Sequence, residues 1–292
     1  MSLYEKVNRI IFIPTFRCQN RCRYCDYKWE TIEQDKSYKL NAFGNEWKIE
    51  SELHWAYWLA TLAPFRPYHL SLTGGEPTLY TGLVDLIEHL PRSCSWDITS
   101  NTMVEYAIDK ITPANILTWT ASYHYHHMDK FLANIKVLRQ RGFPITVTLV
   151  LMPDNIEQVK EAITEFNKHF LRVNIHPVLK QGFNWNEHKD VLNQMDDIIK
   201  TIDSERLIKL IRDIRHEWQP DGAVESCPAG KEYFLVFPDG MVYRCYSHAL
   251  ARKCEPMAHI SELKLNEKDE PCDGGCIFPC DIQCQRREHL VL

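Results

Sequence analysis

Long apolar runs are missing from this chain; none approaches the length needed to span a membrane. The opening stretch from Met1 to Asn8 is polar and lacks the apolar core of a secretory signal. These absences point to a cytoplasmic protein with no membrane partner. A strong charge of one sign is missing too. Lys and Arg number 34 against 39 Asp and Glu, a net charge of −5. That leaves no global electrostatic case for nucleic acid, although a local basic cleft stays open. No internal repeat is visible. Cysteine is almost absent from the middle, where only Cys94 occurs between Asp26 and Ala223.

The cysteines that are present sit at the ends. Of 11, three fall within residues 18–25 and seven between Cys227 and Cys284. A disulfide scaffold belongs to a much shorter secreted chain, so in a cytosolic protein of 292 residues this distribution points to metal. The hydrophobic content of 45% supports one large α/β domain with a small appendage.

Cys18, Cys22 and Cys25 stand as C-x-x-x-C-x-x-C, with Tyr24 just before the third thiol. Three thiolates so close can fold round one metal centre. In a four-iron cube each iron wants its own ligand, so three cysteines leave one iron open to bind something else. A three-thiolate zinc site completed by a histidine, or three unrelated buried cysteines, are the competing readings.

The middle alternates strand-like and helix-like segments. Arg9–Ile13, His69–Leu72, Ser95–Thr99, Ile116–Ala121, Ile145–Leu151 and Arg172–Val178 read as strands. Helical spacing marks Ser51–Leu62, Leu79–Leu90, Val104–Lys110, Asp129–Arg141 (ended by Gly142) and Asn155–Phe170. About six β-α repeats predict a parallel sheet with outer helices, too few for an eight-fold barrel, and hence an open partial (β/α)6 barrel. A long helical stretch follows, from His188 to Trp218, broken by Pro220-Asp-Gly222. Then Tyr233–Phe237, Pro238-Asp-Gly240 and Met241–Arg244 read as a β-hairpin. Residues 254–284 are rich in Gly, Pro and Cys and need an internal staple. These changes predict a core over 1–220 and a small domain over 221–292. Lys36–Trp47 reads as a loop or lid.

The strand His69–Leu72 runs into Thr73-Gly-Gly-Glu-Pro77. Two glycines let a ligand approach the backbone and the proline stiffens the exit. Glu76 and a backbone edge there can hold an ammonium group. Alone this is a turn; after the second strand of a series that opens on the three-cysteine motif, it is specific.

On these residues the chain resembles the radical S-adenosylmethionine (SAM) enzymes over roughly residues 9–180. The resemblance implies that Cys18, Cys22 and Cys25 hold a 4Fe–4S cluster whose open iron chelates SAM. One electron then cleaves SAM to methionine and a 5′-deoxyadenosyl radical, which abstracts hydrogen from substrate. It implies that Tyr24 lies near the adenine and that Gly74, Gly75, Glu76 and Pro77 hold the methionine amine. By position, Ser100 and Asn101 fall where the family has a ribose contact, without its final glycine. Ser122 falls where a polar residue meets SAM. Helix N-capping after a strand explains these three as well. Val150–Met152 and His176–Val178 sit where later strands meet adenine, or are simply core.

The tail carries a second resemblance. Cys227, Gly240 and Cys245 stand as C-x12-G-x4-C, as at the opening of the SPASM and Twitch extensions of that family. This implies an auxiliary 4Fe–4S cluster, with further ligands from Cys272, Cys276, Cys280 and Cys284, Cys276 and Cys280 first. The C-x-x-C that a full SPASM region carries is missing, so one auxiliary cluster is expected. Gly274, Gly275 and Pro279 argue against these four cysteines forming one helix face. Cys94 reads as buried packing, and Cys254 as a hydrogen-atom donor, an extra ligand or neither. His124 and His126, on the rim after the fourth strand, are candidate substrate contacts, or part of a solvated helix start.

The expected activity is hydrogen abstraction from a small molecule or peptide, in natural-product or ribosomal-peptide maturation, with an electron donor such as flavodoxin or ferredoxin. The 17 residues ahead of Cys18 are expected to leave no room for a fused peptide-recognition or cobalamin domain. A glycyl-radical activase is the alternative enzyme, disfavoured because residues 26–73 hold no cysteine. A non-catalytic iron–sulfur or zinc protein is the third reading.

Overall fold

A computed structural model describes residues 8–20, 22–25, 38–40, 46–48, 52–178, 185–203, 205–211, 224–246, 248–249 and 255–272. The repeating unit begins with β1 (Arg9–Phe12). A short antiparallel pair, β2 (Tyr38–Leu40) and β3 (Glu46–Lys48), lies within the segment expected to be a loop or lid. Then come α1 (Trp55–Leu62), β4 (His69–Leu72), α2 (Leu83–Glu88), β5 (Ser95–Ser100), α3 (Glu105–Lys110) and β6 (Ile116–Ser122). They continue as α4 (Met128–Gln140), β7 (Ile145–Leu151), α5 (Ile156–Lys168), β8 (Val173–Pro177), α6 (Lys189–Ile202) and β9 (Ile208–Leu210). The tail adds β10 (Val224–Cys227), β11 (Tyr233–Val236), β12 (Met241–Tyr243), β13 (Ala258–His259) and β14 (Glu270–Cys272).

Ten strands form one sheet in the order β13-β12-β11-β1-β4-β5-β6-β7-β8-β9. From β11 through β1 to β9 every pairing is parallel; β12 and β13 add antiparallel. This is the expected partial (β/α)6 barrel, with a hairpin added beyond β1. Gly240 turns that hairpin at φ +85°, a backbone conformation that glycine adopts without strain.

The long helix expected to reach Trp218 ends sooner. Asp203 accepts hydrogen bonds from the Leu207 and Ile208 amides at 2.9 and 2.7 Å. This side chain supplies the turn that lets β9 start and pair with β8. Of the four last cysteines, Cys272 closes β14, while Cys276, Cys280 and Cys284 lie outside the described residues, as does Cys254. No helix among the described residues is long and apolar enough to cross a membrane.

Alternation along the strands makes two faces. Leu70, Leu72, Trp96, Ile98, Trp119, Val147 and Leu149 are fully buried toward the helices. The opposite face is apolar only beside β1 and β11, where Ile11, Ile13 and Leu235 meet Phe237 and Tyr243. Across β4–β9 it is polar. At its lower end His69 sits between Ser95 Oγ (2.9 Å) and Asp97 Oδ2 (2.5 Å). Ser71 bonds the same carboxylate at 3.1 Å, and Arg9 reaches Ser71 at 2.7 Å.

Asp97 is therefore the shared partner of His69 and Ser71, and the Arg9 guanidinium lies 3.6 Å from the same oxygen. Its removal strands His69, which is 5% exposed. Asp97→Ala is expected to lower the unfolding free energy by roughly 2 kcal/mol in a denaturant titration, the cost of leaving a buried hydrogen-bonding group without its partner. Asp197→Ala, which removes the partner of an exposed Lys200 pair, is the control and should change little. Equal effects from the two would refute a structural role for the network.

Candidate active site

The site lies where the parallel strands end, on the polar face. After β1 the chain runs Ile13 to Cys18 beside the segment that follows β4. The Thr73 amide donates to Phe12 O at 3.0 Å, Gly75 to Thr15 O at 3.2 Å and Glu76 to Arg17 O at 2.6 Å. Parallel pairing thus continues past both strands and lays the thiol loop on Gly74-Gly-Glu. Here the glycines serve the protein's own backbone first. A Cβ on Gly75 would lie 2.3 Å from Arg17 O, and one on Gly74 2.4 Å from Ile13 Cγ2. Gly74 also sits at φ +123°.

Arg17 clamps the loop from the other side. Its guanidinium takes both oxygens of Glu52, at 2.9 and 3.0 Å, and also bonds Leu79 O. Thr15 Oγ1 donates to the same carboxylate. The sequence reading missed this clamp; Arg17 beside Cys18 was its signal, but Glu52 is remote in the chain.

Glu76 is buried at 1% exposure. It caps the 3₁₀ turn that Pro77 opens. Its Oε1 accepts from the Thr78 amide (3.1 Å), Thr78 Oγ1 (2.5 Å) and Ser100 Oγ (2.8 Å), and its Oε2 from the Asn101 amide (2.7 Å). Burial pushes the carboxyl pKa up, while these four bonds pull it down by favouring the ionised form. Ser100 accepts in turn from the Thr102 amide at 2.9 Å. The end of β5 is so tied to the end of β4.

Cys18, Cys22 and Cys25 line one pocket with Asn20, Tyr24, Gly74, Gly75, Glu76, Ser100, Asn101, Ser122 and His124. The sequence-predicted residues are brought together there. Pro77 lies beneath, buried. His126 is exposed, with Nε2 at 3.2 Å from Asn20 Oδ1. His124 faces the thiol loop, with Nδ1 at 3.2 Å from Cys22 Sγ and 2.6 Å from the Tyr24 hydroxyl. Burial holds its pKa down at about 4. Burial also pushes the Cys22 thiol up, opposed by a hydrogen bond from Tyr24.

The pocket bears the marks of a ligand site. The side-chain nitrogens of Asn20 and Asn101 are buried with no hydrogen-bond partner. Unmatched donors of this kind cost stability unless an acceptor arrives. Among the described residues no three His, Cys, Asp or Glu side chains draw together as the ligands of a single metal ion. All three thiols line this one pocket, and a 4Fe–4S cluster takes each of its thiolates on a different iron. Cys94 is buried and belongs to the helix-side core. Cys227 and Cys245 are buried on the other face of the sheet, in the apolar cluster against which Cys25 packs.

Gly75→Ala should displace the thiol loop. The expected result is a lower melting temperature together with lower iron uptake on anaerobic reconstitution. Wild-type values for both would show that the loop tolerates a side chain at this contact.

No family model matches the chain. A curated relative, 7-carboxy-7-deazaguanine synthase from Clostridium acetobutylicum, is 26% identical over 162 residues, 54% of this chain and 66% of the relative. Among solved structures, Streptococcus suis SuiB bound to precursor peptide SuiA superposes with TM-score 0.58 at 12% identity, over 88% of this chain and 63% of SuiB. Native anSMEcpe with bound AdoMet gives TM-score 0.59 at 13% identity, over 87% of this chain and 78% of that one. The chain thus spans somewhat less than two thirds of the length of both the curated relative and SuiB. At such identities the two structures establish the fold, the radical SAM partial barrel. Motif, sheet order and curated relative agree in the direction of this similarity, which is to radical SAM enzymes.

Proposed function

We propose that the chain is a radical SAM enzyme in which Cys18, Cys22 and Cys25 hold a 4Fe–4S cluster and the adjoining pocket takes SAM. One observation carries this reading. The three thiols share a pocket with the Gly-Gly-Glu segment and with two unmatched buried amide donors, at the C-terminal ends of parallel strands. When bound, cluster and SAM together supply one-electron chemistry that ends in hydrogen abstraction from substrate.

The chain's own groups divide the remaining work. Asn20 and Asn101 offer donors to a ligand with oxygen or ring-nitrogen acceptors. Glu76 anchors Ser100 and Asn101, and, with a single bond on Oε2, it joins the backbone edge at Thr73–Gly75 in offering acceptors to an ammonium group. Tyr24 and Ser122 bound the pocket for the rest of SAM. Beyond Ser122, register places Thr148, Asn174 and Lys209 in one row on the polar face. That row suits a polar substrate, either a small molecule or a peptide from a separate chain. SuiB with SuiA, and anSMEcpe with AdoMet and the Cp18Cys peptide, favour the peptide by fold analogy alone. We place the protein in the cytoplasm, with a flavodoxin or ferredoxin as electron donor.

In the tail, we propose an auxiliary 4Fe–4S cluster held by Cys227 and Cys245 with two of Cys272, Cys276, Cys280 and Cys284. Cys272 ends the strand that pairs with the strand of Cys227. Arg244, next to Cys245, bonds Glu270 O and Pro271 O, both at 3.4 Å. The strand pairing and the Arg244 side chain bring the segments of Cys227, Cys245 and Cys272 alongside one another, with Cys272 opposite Val224, which supports this reading.

Replacing Cys18, Cys22 and Cys25 together by Ala should abolish formation of 5′-deoxyadenosine from SAM by the reduced protein. Undiminished deoxyadenosine would end the radical SAM assignment.

Mössbauer counting of the reconstituted wild type should find about eight irons per chain, four for each cluster. The Cys227→Ala, Cys245→Ala double variant should fall to about four and keep cleaving SAM. About four irons in the wild type would remove the auxiliary cluster.

A further inference from the structure

We propose that His124 is a positioning residue for the iron–sulfur centre, donating its Nδ1–H to Cys22 Sγ and so raising that centre's reduction potential. The inference rests on the cluster assignment above and extends it to a residue outside the cysteine motif.

The geometry comes from the loop after β6. Tyr123 is buried against Phe131 and Phe166 and fixes the loop's root. Tyr125 and His127 then adopt left-handed backbone, at φ 63° and 54°. Side chains of this size rarely do so, and such residues persist only where their surroundings hold them. Tyr125 is held by its hydroxyl on Val150 O at 2.5 Å. His126 Nδ1 bonds back to His124 O at 2.8 Å. Between them the His124 ring is turned in over the thiol loop and stacks on Tyr24, ring centres 6.1 Å apart and planes 17° from parallel. Its Nδ1 meets Cys22 Sγ at 3.2 Å.

The chemistry sets the direction of that bond. A thiolate on iron has no proton and can only accept. We take the tautomer in which the nitrogen facing it carries the hydrogen; the Tyr24 oxygen, 2.6 Å from the same nitrogen, is then a second acceptor, and its own hydroxyl hydrogen turns to Cys22. Hydrogen bonds to cluster sulfur favour the reduced, more negative state and are a main lever on its potential. His124 also lines the pocket, so the substrate contact that position alone suggests is compatible with this bond.

The test uses full-length protein carrying ¹⁵N-histidine, reconstituted anaerobically and reduced. The signal examined by pulsed EPR is the one that changes when SAM is added. A histidine nitrogen coupling on that signal is expected in the wild type before SAM is added. His124→Leu should lose the coupling and shift the midpoint potential to a lower value. His124→Gln, which keeps an N–H donor, should recover part of the shift. A SAM-responsive signal with no histidine coupling overturns the inference, as does a loaded His124→Leu variant with wild-type potential. If His124→Leu takes up no iron, the wild-type coupling decides alone. If no signal responds to SAM in the wild type, the radical SAM reading falls and this inference with it.

Discussion

Thr15–Arg17 and Gly74–Glu76 lie backbone against backbone, closer than any side chain permits. At Gly75 an added Cβ would meet carbonyl oxygens of Phe16 and Arg17 within 2.6 Å. The thiol loop can take its course only because this approach is possible. Its cysteines would otherwise ride on a free surface segment, and loops of that kind are mobile. Here the segment behaves as an extension of the sheet. The Arg17–Glu52 clamp then holds the same root from the opposite side, so the chain entering the loop is fixed before any cofactor arrives. Preorganisation of this kind spares a site the cost of ordering its ligands upon binding.

Glu76 carries the same logic inward. A carboxylate so deeply buried is tolerated because its two oxygens together are matched by donors from two different segments. Those donors belong to the ends of neighbouring strands. The carboxylate converts two independent strand ends into one wall, and Asn101 is presented to the pocket by that wall. Ser100 gives its hydroxyl hydrogen to that wall and also lines the pocket.

The β-α series was legible because its strands are apolar on the helix side and its helices periodic. His69–Leu72 and Ile145–Leu151 have the bounds that alternation implies. The three-cysteine motif and Gly-Gly-Glu-Pro were legible because both are contiguous. What escaped reading depends on distance in the chain. Nothing local marks Glu52 as the partner of Arg17, or turns His124 toward Cys22. The helix expected to continue past Ile202 stops because Asp203 bonds forward to two amides, an outcome that periodicity does not register. Likewise the Tyr233–Val236 hairpin was visible, but its parallel pairing with the first strand was not.

That pairing has a consequence for how the chain is made. β1 lies between β4 and β11, with Ile11 opposite both Ser71 and Leu235. During synthesis one side of β1 can pair early, while the other waits until residues 233–236 emerge. For most of translation the strand that leads into the thiol loop is therefore an open, apolar sheet edge. Such edges template aggregation unless covered. A nascent chain of this protein gains from slow release or a chaperone's shelter, and a truncated one ending before the hairpin keeps a sticky edge beside the three pocket thiols.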